Sequence, residues 1–144
     1  MKKPEPVPGL VIRYDFLWSH EHERGQSEGV KDRPCVIVAA IVRNADGKTE
    51  VLLVPVTHTP PSAPGAAVAV PARVGAHLGL DDRQSYIVTS EANSVSWDDP
   101  GIVPARPGET WAYGRLPKAL YEQIRSAMLG QVRQHKLKTA KRQS

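Results

Sequence analysis

The sequence predicts a small, mainly β domain: a strongly curved sheet or barrel of short antiparallel strands with one helix packed on it near the C-terminus. Three observations carry this. Short apolar runs rich in Val and Ile alternate with clusters of Gly, Pro, Asn and Asp. Only one long stretch has the spacing of an amphipathic helix. And 144 residues are enough for one self-sufficient core but not for two.

The elements follow in order. Pro4, Pro6 and Pro8 stiffen an opening spacer before Gly9. Leu10, Ile12, Tyr14, Phe16 and Trp18 then recur at period two, with Arg13 and Asp15 between them, which predicts a strand with one apolar face. Residues 19–31 hold Gly25 and Gly29 and no apolar periodicity, and read as a long mobile loop. Residues 35–42 are continuously apolar and predict a strand buried on both faces. Asn44, Asp46 and Gly47 supply turn chemistry, so residues 51–56 return as the second arm of a hairpin. Pro55 lacks an N–H and places that end of the strand at a sheet edge or bulge.

Residues 60–65 form a Pro-rich loop and 68–70 a short strand. Pro71 starts a short helix that Gly79 closes, with Leu80 folding back. Residues 85–89 form a further strand, 98–108 a loop, and 110–114 a last short strand. Pro117 opens the one clear helix, whose Leu120, Ile124, Ala127 and Met128 make a buried stripe. The domain is expected over residues 1–130, followed by a flexible basic tail over 131–144.

Charge narrows the functional classes. The net charge of +4 suggests a polyanion partner. Yet Arg133, Lys136, Lys138, Lys141 and Arg142 lie in the tail, which leaves 14 basic against 15 acidic residues before it. Function in the body must come from local constellations. No apolar run is long enough to span a membrane and no secretory leader is expected, so a cytoplasmic protein is the expectation. Cys35 is the single cysteine. It excludes an internal disulfide and reads as a buried structural thiol. His20 and His22 lack the i, i+4 spacing of a metal pair, and neither metal nor cofactor is expected.

Three places gather reactive side chains. Lys31, Asp32 and Arg33 precede Pro34 where a polar loop enters a buried strand. A guanidinium there suits phosphate oxygens, or else forms an ion pair with Asp32 or Glu91. Thr57 and His58 leave the partner strand, and antiparallel pairing puts them at the same end of the sheet as Arg33. Glu91 and Asn93 follow a third strand, as a base and an amide or as a salt-bridge partner and a turn former. Trp97 and Trp111 read as core.

Residues 9–18, the Gly-containing loop, Asp32-Arg33-Pro34-Cys35-Val36-Ile37-Val38, Val54-Pro55-Val56-Thr57 and Ile87-Val88-Thr89-Ser90-Glu91-Ala92 together resemble the MazF/PemK family of toxin–antitoxin endoribonucleases. Order and rough spacing agree over most of residues 9–130. The Arg-Pro before one strand and the Pro-x-Thr after the next are the most specific pieces. The resemblance implies an SH3-like barrel, a homodimer, metal-independent cleavage of single-stranded RNA, and inhibition by a cognate antitoxin protein. Arg33 and Thr57 match the family's arginine and threonine. Glu91 falls where many members carry an acid, and Thr89 stands where some carry an arginine. Glu91 or His58 is then the expected base. Arg13, Lys31 and Arg73 are the further cations expected to meet RNA, and Asn93 the amide expected to read a base.

Overall fold

The computed structural model of the protein describes residues 2–26, 29 and 31–142. The fold is mainly β: these residues form nine strands in one sheet and three helices, the longest of them near the C-terminus. Strand β1 (Leu10–Tyr14) pairs antiparallel with β2 (Arg33–Val42), and β2 pairs with β3 (Thr49–Thr57). The β2–β3 hairpin turns as expected. Gly47 takes a positive φ of 68°, and Asp46 accepts the Lys48 N–H at 3.0 Å.

Alternation along these strands divides their side chains between two cores. Val11, Val36, Val38, Val54 and Val56 enter one, with Leu120, Ile124 and Met128 of helix α3 (Lys118–Arg133) covering it. Ile12, Tyr14, Cys35, Ile37, Val51 and Leu53 enter the other, beneath Phe16, Trp18 and half-buried Trp97 and Trp111. The first strand therefore has two apolar faces, not the one expected, because α3 covers the face that carries Val11. The expected burial of β2 holds through Val38, while Ile41 and Val42 at its far end are exposed.

Beyond β3 the sheet divides. Its first half pairs with β6 (Glu91–Ser96) and its last residues with β5 (Tyr86–Val88), which also pairs with β4 (Ala67–Ala69). Pro55 stands between the two halves, where neither β5 nor β6 has a register partner for it. A residue without an N–H thus lies inside the sheet, at a break in one ladder and not at an edge. Helix α2 (Ala72–His77) ends as its sequence foretells. Gly79 N–H reaches Ala76 O, Leu80 N–H reaches Gly75 O, and Gly79 has φ 70°.

Three other expectations fail. Residues 98–108 contain strand β7 (Ile102–Val103), and β8 is Gly114–Arg115; both pair with β1. Residues 110–113 instead turn so that Trp111 and Ala112 pack on the second core. No pairing among the described residues joins β4 to β7, so the sheet is not closed, which leaves the expected small barrel-like fold standing. The long loop contains helix α1 (Ser19–Glu23), whose Glu21 is buried and accepts the Trp18 N–H at 3.0 Å. Met1, Ser27, Glu28, Val30, Gln143 and Ser144 lie outside the described residues.

The basic tail departs most from expectation. Helix α3 runs through Arg133, and His135 (φ 57°) reverses the chain. Strand β9 (Lys138–Lys141) then joins β6 in parallel. Arg142 closes the arrangement with a side chain only 4% exposed. Its Nη1 donates to Tyr14 Oη at 2.6 Å and to Asp15 O at 2.9 Å, and its Nη2 lies 3.2 Å from the Asp15 carboxylate. Of the tail cations Arg142 alone is buried; Lys138 and Lys141 stand on the sheet and Arg133 on the helix with their side chains exposed, as Lys136 is.

Breaking a buried ion pair from one side leaves an uncompensated charge, so Arg142→Ala should lose about 3 kcal/mol of stability. Urea denaturation with equal m-values checks this, and an unchanged midpoint would contradict the buried latch. Burial pushes the Cys35 thiol well above its ordinary range, against the opposing pull of Arg33. Burial likewise raises the Tyr14 phenol, with Arg142 working to lower it. Both groups keep their protons when folded and lose them sooner when unfolded. Their contribution to stability is therefore complete below about pH 8.5 and declines above it, steepening past about pH 10. Chemical denaturation between pH 7 and 11 should show this decline, and the double variant Cys35→Ala, Tyr14→Phe should flatten it.

Candidate functional site

The register that pairs Cys35 with Pro55 and Val36 with Val54 extends outward to set Arg33 across from Thr57. At this end of the sheet a cleft of about 490 Å³ opens. Lys31, Arg33, Thr57 and His58 line it on the sheet side; Asp81, Arg83 and Tyr113 close it from the opposite loops. The expected convergence of cation, hydroxyl and imidazole on one rim is therefore what the fold builds.

Arg33 is half buried, and its guanidinium lies 5.2 Å from the centroid of the Trp18 ring. Neither sequence-expected carboxylate reaches it. Asp32 pairs with Arg13 at 3.2 Å, and Glu91 accepts the backbone N–H of Ser19 at 2.7 Å. Among the described residues Arg33 has no ion pair, and its buried Nε has no hydrogen-bond partner. An arginine held against an indole and left without a counter-ion is ready to take an anion.

Thr57 and His58 are prepared in a similar way. The Thr57 Oγ1 accepts the Thr59 N–H at 3.2 Å, which leaves the hydroxyl proton to donate. His58 Nε2 lies 3.0 Å from Asp81 Oδ1. Partial loss of water works to raise the Asp81 carboxyl. Hydrogen bonds from His58 and from the Arg83 N–H outweigh it and hold that carboxyl below the usual range.

The remaining expected residues divide. Lys31 is exposed at the cleft, and Arg13 is committed to Asp32 nearby. Arg73 lies elsewhere, on a groove between α2 and the start of α3 with His77 and Gln123. Asn93 is fully buried and its amide is spent. Its Nδ2 donates to Leu17 O at 2.7 Å while its Oδ1 accepts the Leu17 N–H at 2.8 Å. It cannot read a base. Glu91 is outside the cleft wall, so as placed it supports the start of α1, next to Trp18, whose ring lies against Arg33. Among the described residues no three His, Cys, Asp or Glu side chains converge as a metal set would. Among the described residues no helix is long and apolar enough to cross a membrane.

Sequence reading missed Asp81, Arg83 and Tyr113. Asp81 had one available signal, its place just beyond the Gly79 helix stop, where the chain turns back toward the sheet. The chain matches no protein-family model and no curated protein.

Glu91→Ala should loosen α1 and cost about 2 kcal/mol, the scale of a hydrogen bond to a charged group. Glu91→Gln keeps an acceptor oxygen and should recover most of that loss. Thermal or urea unfolding compares the two. Equal losses would show that the Ser19 contact is not what Glu91 supplies.

Proposed function

We propose that the protein is the toxin of a toxin–antitoxin pair, a metal-independent endoribonuclease that cleaves single-stranded RNA. The observation that carries this reading is Arg33, a half-buried guanidinium without a counter-ion among the described residues, beside Thr57 on the sheet wall of a cleft. A phosphodiester supplies the missing anion, and the Arg-Pro and Pro-x-Thr segments that resemble MazF/PemK are the ones that build this rim.

The chemistry follows from the groups present. RNA carries its own nucleophile, the 2′-hydroxyl, so the protein must align it, remove its proton and stabilise the charge that develops on phosphorus. Arg33 meets the non-bridging oxygens of the phosphorane, and Thr57 donates its free hydroxyl proton to one of them. His58 accepts the 2′-proton. The 2′-oxygen bonds to phosphorus as the P–O5′ bond breaks, leaving a 2′,3′-cyclic phosphate and a 5′-hydroxyl. Lys31 at the rim adds attraction for the backbone. In this reading the protein acts as a homodimer in the cytoplasm and a cognate antitoxin protein restrains it.

End-labelled single-stranded RNA tests the proposal directly. The wild type should yield fragments with those termini, in EDTA as in its absence. Arg33→Ala should slow cleavage roughly 100- to 1,000-fold, the scale for removing one well-placed donor to a developing oxyanion. Thr57→Val should slow it about 10-fold, close to the loss of one neutral hydrogen bond. Salt-sensitive RNA binding by the wild type with no scission would replace the nuclease with a non-catalytic RNA binder on the same fold.

A further inference from the structure

We infer that Asp81 is the positioning residue of this site, fixing His58 so that Nδ1 is the nitrogen that takes the 2′-hydroxyl proton. The inference rests on the nuclease reading above and assigns a part that neither the sequence nor the resemblance supplied.

Three observations converge on Asp81. Its Oδ1 lies 3.0 Å from His58 Nε2 and accepts the Arg83 N–H at 3.1 Å, so one oxygen is held from two sides. Asp81 stands two residues beyond Gly79, whose left-handed φ of 70° ends α2 and turns the chain back to the cleft. And both partners line the cleft that holds Arg33 and Thr57, not a remote surface. The pair is partly exposed, His58 at 35% and Asp81 at 51%, so its place on the cleft beside Arg33 and Thr57 marks it, not the contact alone.

The tautomer follows from the acceptor. A carboxylate can only accept, so Nε2 must carry the ring proton toward Asp81, and in the neutral ring Nδ1 carries the lone pair. Among the described residues Nδ1 has no hydrogen-bond partner. In the reaction Nδ1 takes the 2′-proton as the 2′-oxygen attacks phosphorus. The imidazolium then bears two protons, one still directed at Asp81, whose charge stabilises it. The departing 5′-oxygen takes a proton from water, and the imidazolium returns its own to solvent, so protons balance over the cycle. Asp81 touches no reacting atom at any step.

Two measurements test this. Imidazole nitrogen NMR of the full chain, labelled with 15N, should show His58 as the Nε2–H tautomer in the wild type. Asp81→Asn should lose that preference, and Asp81→Glu should regain part of it. A wild-type ring in the Nδ1–H form, or one indifferent to Asp81→Asn, overturns the inference whatever the activity. Cleavage of a single-stranded oligoribonucleotide should then fall roughly 10- to 100-fold in Asp81→Asn, as expected when a general base loses its orienting partner. That loss should sit in kcat with KM little changed. Full activity in Asp81→Asn overturns the role of Asp81 alone. Absence of cleavage by the wild type overturns the nuclease reading, and the base role with it.

Discussion

The pairing of Cys35 with Pro55 is the constraint on which the rest of the molecule depends. From that register Val36 and Val54 face one core while Cys35, Ile37 and Leu53 face the other. A slip of one residue would exchange the two sets and would also move Arg33 away from Thr57. Packing and site geometry are therefore set by the same ladder. The bulge at Val38 belongs to this scheme. The register shifts between Ile37 and Ala39, and the Val38 carbonyl accepts the Tyr121 hydroxyl of α3 at 2.6 Å. The irregularity in the hairpin is thus one of the points where the helix is attached.

Two arginines show how burial decides whether a charge is structural or available. Arg142 is nearly buried, and the Asp15 carboxylate, the Asp15 carbonyl and the Tyr14 hydroxyl answer its charge. Arg33 is half buried against an indole, and no described carboxylate pairs with it. Three described acids near this end of the sheet are engaged elsewhere: Asp32 with Arg13, Glu91 with the start of α1, Asp81 with His58. An uncompensated, partly desolvated cation is costly to a fold on its own account. Its persistence at a cleft is the physical argument for an anionic ligand.

What the sequence made legible was local. The α3 stripe, the Gly79 stop and the turn at Gly47 each depend on neighbours a few residues away, and each lies where periodicity and turn chemistry put it. The convergence of Arg33 with Thr57 was legible for a related reason, since a hairpin's pairing can be read from its own arms. The misses depend on distant partners. Helix α1 has no apolar periodicity, and carboxylates at Glu21 and Glu91 hold it. Asn93 looks like a free amide until residues 14–17 fold over it. Strand β9 follows a helix stop built on His135, in a left-handed conformation where Gly is the usual signal, so nothing in the composition marks the turn.

The fate of the tail changes how a chain with a near-neutral body meets a polyanion. A free basic arm would gather RNA without direction, its charge averaged over many conformations. Here Lys138 lies across from Glu91 in the β6–β9 ladder and Arg142 is consumed by Asp15, so two of the five tail cations have acidic neighbours. Net charge therefore overstates the attraction that the tail can exert. Under the proposed function a phosphate would meet a fixed cation instead, for Arg33 is held in place by the strand that Pro34 begins to stiffen and by the ring of Trp18 at the start of α1. Affinity from such a site depends on the fit of one phosphate and its neighbours, not on accumulated charge. If the proposed RNA ligand holds, that dependence favours a recognised position over indiscriminate binding.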